Sequence, residues 1–79
     1  MPRKQIRSAI EIAEYLKSKC IVDVVSSNNL KFAIRLIAGS ESRTIEAYIH
    51  FLVDMGLASV EGNGYRIHPE RIEELSIYA

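Results

Sequence analysis

The segment 40–56 constrains the fold most strongly, because its apolar residues recur with the period of an α-helix. At about 100° per residue, one side of this helix is apolar and comprises Ile45, Tyr48, Ile49, Leu52 and Met55. The opposite side comprises Arg43, Ala47, His50 and Asp54. Ser40 is a suitable N-cap, and Gly56 is suited to end the helix. The pattern predicts an amphipathic helix that must bury one side against other elements.

The N-terminal half of the chain supplies elements that can cover this apolar side. Residues 6–19 and 29–37 have helical spacing of apolar residues, and residues 20–25 form a β-branched run typical of a short strand. Either Ser27 or Asn28 can cap the second helix. A three-residue break that contains Gly39 separates the second helix from the third, which predicts a helix-turn-helix joint.

After Gly56 the pattern changes to alternation, which predicts a β-hairpin over residues 57–67. Asn63 and Gly64 are a preferred pair for a type I′ turn. A turn there places Val60 opposite Ile67 on the core face, and Glu61 opposite Arg66 as a cross-strand ion pair. Pro69 and Glu70 then suit the first turn of a last helix over residues 69–77, with Ile72 and Leu75 facing inward.

Composition restricts the class of protein. The 79 residues make a single domain, 1–79, and carry ten basic and ten acidic side chains, so tight nonspecific binding to nucleic acid is not expected. Arg3, Lys4 and Arg7 concentrate positive charge at the start, where residues 1–5 are predicted to form a basic arm. Cys20 is the only cysteine, so no internal disulfide can form. With no secretory leader and no apolar run long enough for a membrane span, we expect a cytoplasmic protein without a membrane partner.

Residues for catalysis are not arranged in a recognisable pattern. His50, His68 and Cys20 share no spacing of a nucleophilic or metal site, and no glycine-rich phosphate loop follows a strand. The sequence therefore predicts a protein that is not an enzyme and that has no cofactor, no metal site and no evident small-molecule ligand.

The stretch SESRTIEAYIHFLVDMGLASVEGNGYRI resembles the winged helix-turn-helix family of DNA-binding regulators, and the resemblance covers about residues 6–67. It implies an α+β, mainly helical fold with a three-helix core, a β-hairpin wing and a short C-terminal helix. Residues 29–56 would form the helix-turn-helix, 57–67 the wing and 69–78 the last helix. The implied function is sequence-specific binding of double-stranded DNA by a small transcriptional regulator of bacteria, archaea, viruses or plasmids, acting as a homodimer.

The resemblance also implies which residues contact DNA. The third helix would enter the major groove and the wing would touch the flanking backbone. The implied contact residues on the third helix are Ser42, Arg43, Thr44, Ala47 and His50, and Ser40 before this helix is a further candidate contact. Those on the wing are Asn63, Gly64 and Arg66. Apart from the resemblance, Lys31 and Arg35 on the second helix are candidate contacts to backbone phosphates, and Arg3 and Lys4 are candidates for an arm that contacts the minor groove or phosphates.

Each of these assignments has an alternative. Arg43 can bind guanine in a bidentate manner, or it can be a solvated arginine. His50 is either a groove contact or an ordinary surface histidine, and the basic start is either a DNA-binding arm or a frayed terminus.

A second function remains open, because winged helices also serve as protein-docking modules. The apolar residues in excess of the inward stripes are Phe32, Leu36, Phe51, Ile77 and Tyr78. They predict a partner surface, and Ile77 and Tyr78 suggest a dimer that uses the first and last helices.

Overall fold

The structure, a computed structural model, describes residues 3–19 and 24–77. Its elements in chain order are α1 (Arg3–Lys19), β1 (Val24–Ser26), α2 (Ser27–Ile37), α3 (Ser42–Asp54), β2 (Ala58–Glu61), β3 (Gly64–Ile67) and α4 (Pro69–Ser76). The fold is therefore α+β and mainly helical, as the sequence predicts. The structure describes nothing of residues 20–23, which belong to the predicted strand over 20–25, or of Tyr78.

The helices pack around one core because each of them has a single apolar side. Helix α1 packs against α2 and α4, and α2 packs against α3. The predicted inward residues of α2 and α3 are confirmed, since Leu30, Ile34 and Leu52 are almost completely buried. Ile72 and Leu75 of α4 are also buried, and Pro69 begins that helix as expected.

The predicted basic arm over residues 1–5 is wrong for the part that the structure describes. Helix α1 begins at Arg3, so Arg3 and Lys4 lie in its first turn. Arg, Lys and Gln are strong helix formers, and no helix-breaking residue separates them from the amphipathic run that follows. Helix propensity therefore extends α1 toward the N-terminus.

The predicted N-caps of α2 and α3 lie one or two residues away from the observed ones. Ser26, rather than Ser27 or Asn28, caps α2: its backbone is extended and its Oγ accepts a hydrogen bond from the Asn29 amide at 3.1 Å. Ser40 lies in the turn before α3, and Glu41 occupies the N-cap position without a side-chain hydrogen bond. The cap is the residue at which the backbone leaves the extended region, and periodicity alone does not locate that residue.

The end of α3 is as expected. Gly56 has a φ of +78°, and its amide donates to the Val53 carbonyl at 3.1 Å. The Leu57 amide donates to the Leu52 carbonyl at 2.9 Å. These two bonds form a Schellman motif, which glycine favours because it has no Cβ.

The hairpin is present, but its register differs from the prediction. The sheet has the order β1-β3-β2 and is antiparallel, and Ala58, Ser59 and Val60 oppose Ile67, Arg66 and Tyr65. The loop is Gly62 and Asn63, with positive φ only at Gly62, as in a type II′ turn. Ala58 therefore pairs with Ile67 in the core, whereas Val60 is 70% exposed.

The packing of Gly64 against β1 explains why this residue is not part of the hairpin loop. Gly64 lies in β3 opposite Ser26 of β1, and a Cβ on Gly64 would lie 2.3 Å from the Val25 carbonyl oxygen. The close approach of β1 thus requires glycine within the strand, and this leaves Gly62 to make the turn.

Candidate nucleic-acid interface

The turn between α2 and α3 fixes the start of α3 relative to α2. The amides of Ala38 and Gly39 both donate to the Ile34 carbonyl, at 2.8 and 3.1 Å. On the other side of the turn, the Ile45 amide donates to the Glu41 carbonyl at 3.0 Å. Backbone hydrogen bonds therefore hold both ends of this four-residue connection, and the first turn of α3 is presented in a defined position.

The outward face of α3 is exposed along most of its length. Ser42, Arg43, Ala47 and His50 are all exposed, and Ser40 is exposed in the preceding turn. Thr44 differs from them, because it is half-buried and its methyl group lies 3.5 Å from the position that a Cβ on Gly39 would occupy. Thr44 therefore packs toward the turn.

The structure brings two of the predicted cations to the start of α3. Lys31 and Arg35 of α2 line a shallow groove of about 130 Å³ together with Ser42, Ile45 and Glu46 of α3. The spacing of Lys31 and Arg35 by four residues places both on the side of α2 that faces α3. We call this surface, together with Arg43, Ala47 and His50, the α2–α3 surface.

The cations of the α2–α3 surface differ from Arg71 in whether their side chains have hydrogen-bond or ion-pair partners. Within residues 3–19 and 24–77, Lys31, Arg35 and Arg43 make no hydrogen bond or ion pair through their side chains. By contrast, Arg71 donates to the Met55 carbonyl at 2.8 Å and pairs with Glu74. The α2–α3 surface therefore presents charged donors that are available to an anionic ligand.

The hairpin presents little positive charge, because its one arginine is bound to its one glutamate. Both Nε and Nη2 of Arg66 donate to the Glu61 carboxylate, and the Nη2 bond is 3.0 Å long. The predicted ion pair is therefore confirmed, but it is diagonal, because Arg66 lies directly opposite Ser59 and not Glu61. The hydrogen bond from Arg66 is the main cause that lowers the pKa of Glu61; the charges of Arg66 and His68 lower it further, and desolvation opposes them. Asn63 is exposed at the loop, and Gly64 packs against β1.

The basic residues of α1 are not part of this surface. Lys4 and Arg7 are exposed on α1, and neither lines the groove between α2 and α3. For Arg3 the structure describes the helical backbone but not the side chain.

Sequence reasoning missed one polar cluster. Ser59 Oγ and His68 Nε2 lie 2.9 Å apart, and His68 Nδ1 is 3.5 Å from Glu70 Oε1. The cluster joins β2 to the first turn of α4. The observed hairpin register could have indicated this cluster. It places Ser59 opposite Arg66, and His68 lies two residues beyond Arg66, on the same side of the extended chain.

Comparisons with known proteins add no identification: the chain matches no protein-family model, no curated protein and no solved structure. Among residues 3–19 and 24–77, no group of three or more His, Cys, Asp or Glu side chains is placed to hold a metal ion. Within the same ranges, no helix combines the length and apolar character that crossing a membrane requires. A functional proposal therefore rests on the chain's own residues and on the resemblance described above.

Proposed function

We propose that the protein binds double-stranded DNA in a sequence-specific manner and regulates transcription, with a winged-helix arrangement of its elements. In this proposal α2, the turn and α3 form the helix-turn-helix, and β2 with β3 forms the wing. One observation carries the proposal: Lys31 and Arg35 line a groove at the start of α3, Arg43 is exposed in the first turn of α3, and none of the three forms an ion pair within residues 3–19 and 24–77.

Arg43 is the residue proposed to read base identity. It is exposed in the first turn of α3, which is the part of a recognition helix that contacts base edges. Its guanidinium can donate two hydrogen bonds to O6 and N7 of guanine, and such a contact discriminates by about 1–3 kcal/mol. Ala47 and His50, one and two turns further along the same face, are proposed to lie along the groove.

Lys31, Arg35 and Ser42 are proposed to position the helix through the phosphate backbone. Lys and Arg side chains and serine hydroxyls are common phosphate ligands, and these three line one groove beside α3. Glu46 lines the same groove, so its carboxylate reduces the positive potential there. Affinity from phosphate contacts is therefore expected to be modest for a single copy.

The hairpin is proposed to contact the flanking backbone through its loop rather than through a strong positive charge. Arg66 already binds Glu61, so a phosphate must compete with that carboxylate for the guanidinium. The exposed amide side chain of Asn63 is the proposed donor at the loop. A homodimer compensates for the modest affinity of each copy by doubling the contacts, with half-sites about 34 Å apart.

The test starts with selection of duplexes from a random pool and measurement of affinity by fluorescence anisotropy. Arg43→Ala is expected to lose about 1–3 kcal/mol of discrimination at one guanine while keeping most nonspecific affinity. Lys17→Ala is the matched control, because Lys17 is an exposed cation in the separate groove between α1 and α4. Unchanged sequence preference in Arg43→Ala would overturn the assignment of α3 as the reading helix.

Protein docking is the second candidate, and the exposure of Phe32 (52%) and Leu36 (57%) on α2 favours it. A salt series separates the two functions, because binding through several phosphates weakens steeply as the salt concentration rises. No detectable affinity for any duplex at low salt would favour docking over DNA binding.

A further inference from the structure

An apolar surface lies on the side of α2 that faces α1, away from the proposed DNA contacts. Tyr15, Leu16 and Lys19 of α1 line a groove of about 270 Å³ with Asn29 and Phe32 of α2. Leu36, one turn beyond Phe32, continues the apolar side, and both side chains are more than half exposed. We call Tyr15, Phe32 and Leu36 the α1–α2 patch.

A charged ridge of α1 borders this patch. Glu11, Tyr15 and Lys19 follow one another at intervals of four residues, so they form one ridge on the helix surface. Glu11 and Lys19 are exposed, and in residues 3–19 and 24–77 neither forms an ion pair. The Lys19 Nζ lies 5.8 Å from the centre of the Tyr15 ring. The ridge thus carries a negative and a positive charge, each four residues from Tyr15 along α1.

We propose that a second copy of this chain packs on the α1–α2 patch, with the two α1 helices antiparallel about a two-fold axis near Tyr15. In an antiparallel pair centred on Tyr15, Glu11 of each copy lies opposite Lys19 of the other, because each is four residues from the centre. A two-fold interface repeats every contact, so this arrangement forms two equivalent ion pairs around an apolar centre. Phe32 and Leu36 extend the apolar contact on both sides.

Charge argues against the alternative dimer through α1 and α4. The groove between those helices is larger, about 570 Å³, but it is lined by Glu14, Glu70 and Glu73 against one cation, Lys17. A two-fold contact there brings like charges together and is disfavoured. The ridge at Tyr15 is the self-complementary surface of α1.

The proposed dimer leaves the DNA-binding side open. On α2, Phe32 lines the groove with α1, whereas Lys31 and Arg35 line the groove with α3. The inference deepens the proposed function, since it rests on the proposal that two copies act together on DNA. The interface itself is tested without DNA, so that failure of dimerisation and failure of DNA binding are distinguishable.

The experiment is sedimentation equilibrium of the full chain at concentrations up to about 1 mM, without DNA. Glu11→Lys and Lys19→Glu each place like charges opposite one another at both ends of the interface, so each is expected to raise the dimer Kd about tenfold or more. The double variant E11K/K19E exchanges the two signs and is expected to restore the dimer Kd to within about threefold of the wild-type value. Circular dichroism checks that each variant is folded.

Two matched controls make the same kinds of substitution outside the proposed interface. Glu73→Lys changes the net charge as Glu11→Lys does, and Lys17→Glu lies in the same last turn of α1 as Lys19→Glu. Both are expected to leave the dimer Kd unchanged. A wild-type chain that stays monomeric throughout, controls that weaken the dimer as much as the test variants do, or a double variant as weak as the single ones would each overturn the proposal. A wild-type chain that dimerises but binds no duplex would overturn the proposed function and would leave the proposed dimer intact.

Discussion

At the residue scale, the absence of a Cβ at Gly64 permits β1 to lie beside β3. Gly64→Ala introduces an atom 2.3 Å from the Val25 carbonyl oxygen, and backbone on both sides prevents an easy adjustment. We expect Gly64→Ala to lower the free energy of unfolding by about 1–3 kcal/mol, measured by chemical denaturation. Asn63→Ala, in the exposed loop beside it, is the control and is expected to change stability by less than about 0.5 kcal/mol. Equal midpoints for Gly64→Ala and wild type would contradict the close approach of β1.

The Glu61 carboxylate provides a second prediction at this scale. Its pKa is lowered from the usual 4.5, chiefly by the hydrogen bond from Arg66. A carboxyl group with a lower pKa in the folded state stabilises that state above its unfolded pKa, and the contribution is lost as the pH falls through the folded value. We therefore expect Arg66→Gln to raise the pKa of Glu61 and to make stability less sensitive to pH below about 4.5.

Titration of the Glu61 carboxyl carbon by NMR checks this expectation. Arg43→Gln removes a cation from the other exposed surface and serves as the control, since Arg43 has no contact with Glu61. If Arg66→Gln leaves the Glu61 titration unchanged, the diagonal ion pair does not persist in solution.

At the element scale, the two serines before α2 and α3 are expected to behave differently. Ser26 accepts a hydrogen bond from the Asn29 amide, so Ser26→Ala should cost about 1 kcal/mol of stability. Ser40 precedes the N-cap Glu41, so Ser40→Ala should cost less than about 0.5 kcal/mol. Thermal or chemical denaturation of the two variants checks the pair. A larger loss for Ser40→Ala than for Ser26→Ala would show that α3 begins earlier than Ser42.

The elements also show what sequence can and cannot predict here. Apolar periodicity predicted the four helices and their inward residues, because a helix of this size must bury one continuous side. The predicted N-caps and the predicted hairpin register were wrong, because neighbouring residues could serve equally well as the cap or as the turn. The contact of β1 with Gly64 selected between the two hairpin turns, and β1 lies about 40 residues earlier in the chain.

At the scale of the whole molecule, packing unites residues that the sequence keeps apart. Lys31 and Arg35 are candidate DNA contacts by sequence, and packing of α2 on α3 places them in one groove with Ser42. The resemblance suggested Arg66 as a DNA contact, but its engagement by Glu61 depends on the hairpin geometry. The link from Ser59 through His68 to Glu70 likewise requires the observed register.

The phosphate contacts proposed for α2 predict a specific salt dependence of DNA binding. Arg35→Ala should weaken binding to every duplex by a similar factor, because a phosphate contact carries no sequence information. It should also reduce the slope of log K against log salt concentration by about 0.9, the value for one phosphate contact on duplex DNA. Lys17→Ala, in the separate groove between α1 and α4, should leave the slope unchanged. An unchanged slope in Arg35→Ala would remove Arg35 from the interface.

The central claim is that the outward face of α3 and the adjoining side of α2 form the DNA-binding surface. The most direct measurement is NMR mapping of backbone and side-chain shifts on addition of a selected duplex at low salt. We expect the largest shifts at Arg43, Ala47 and His50, with further shifts at Lys31 and Arg35, and little change on α4. Shifts confined to α4 and its groove with α1, or no shifts at any duplex concentration, would contradict the claim.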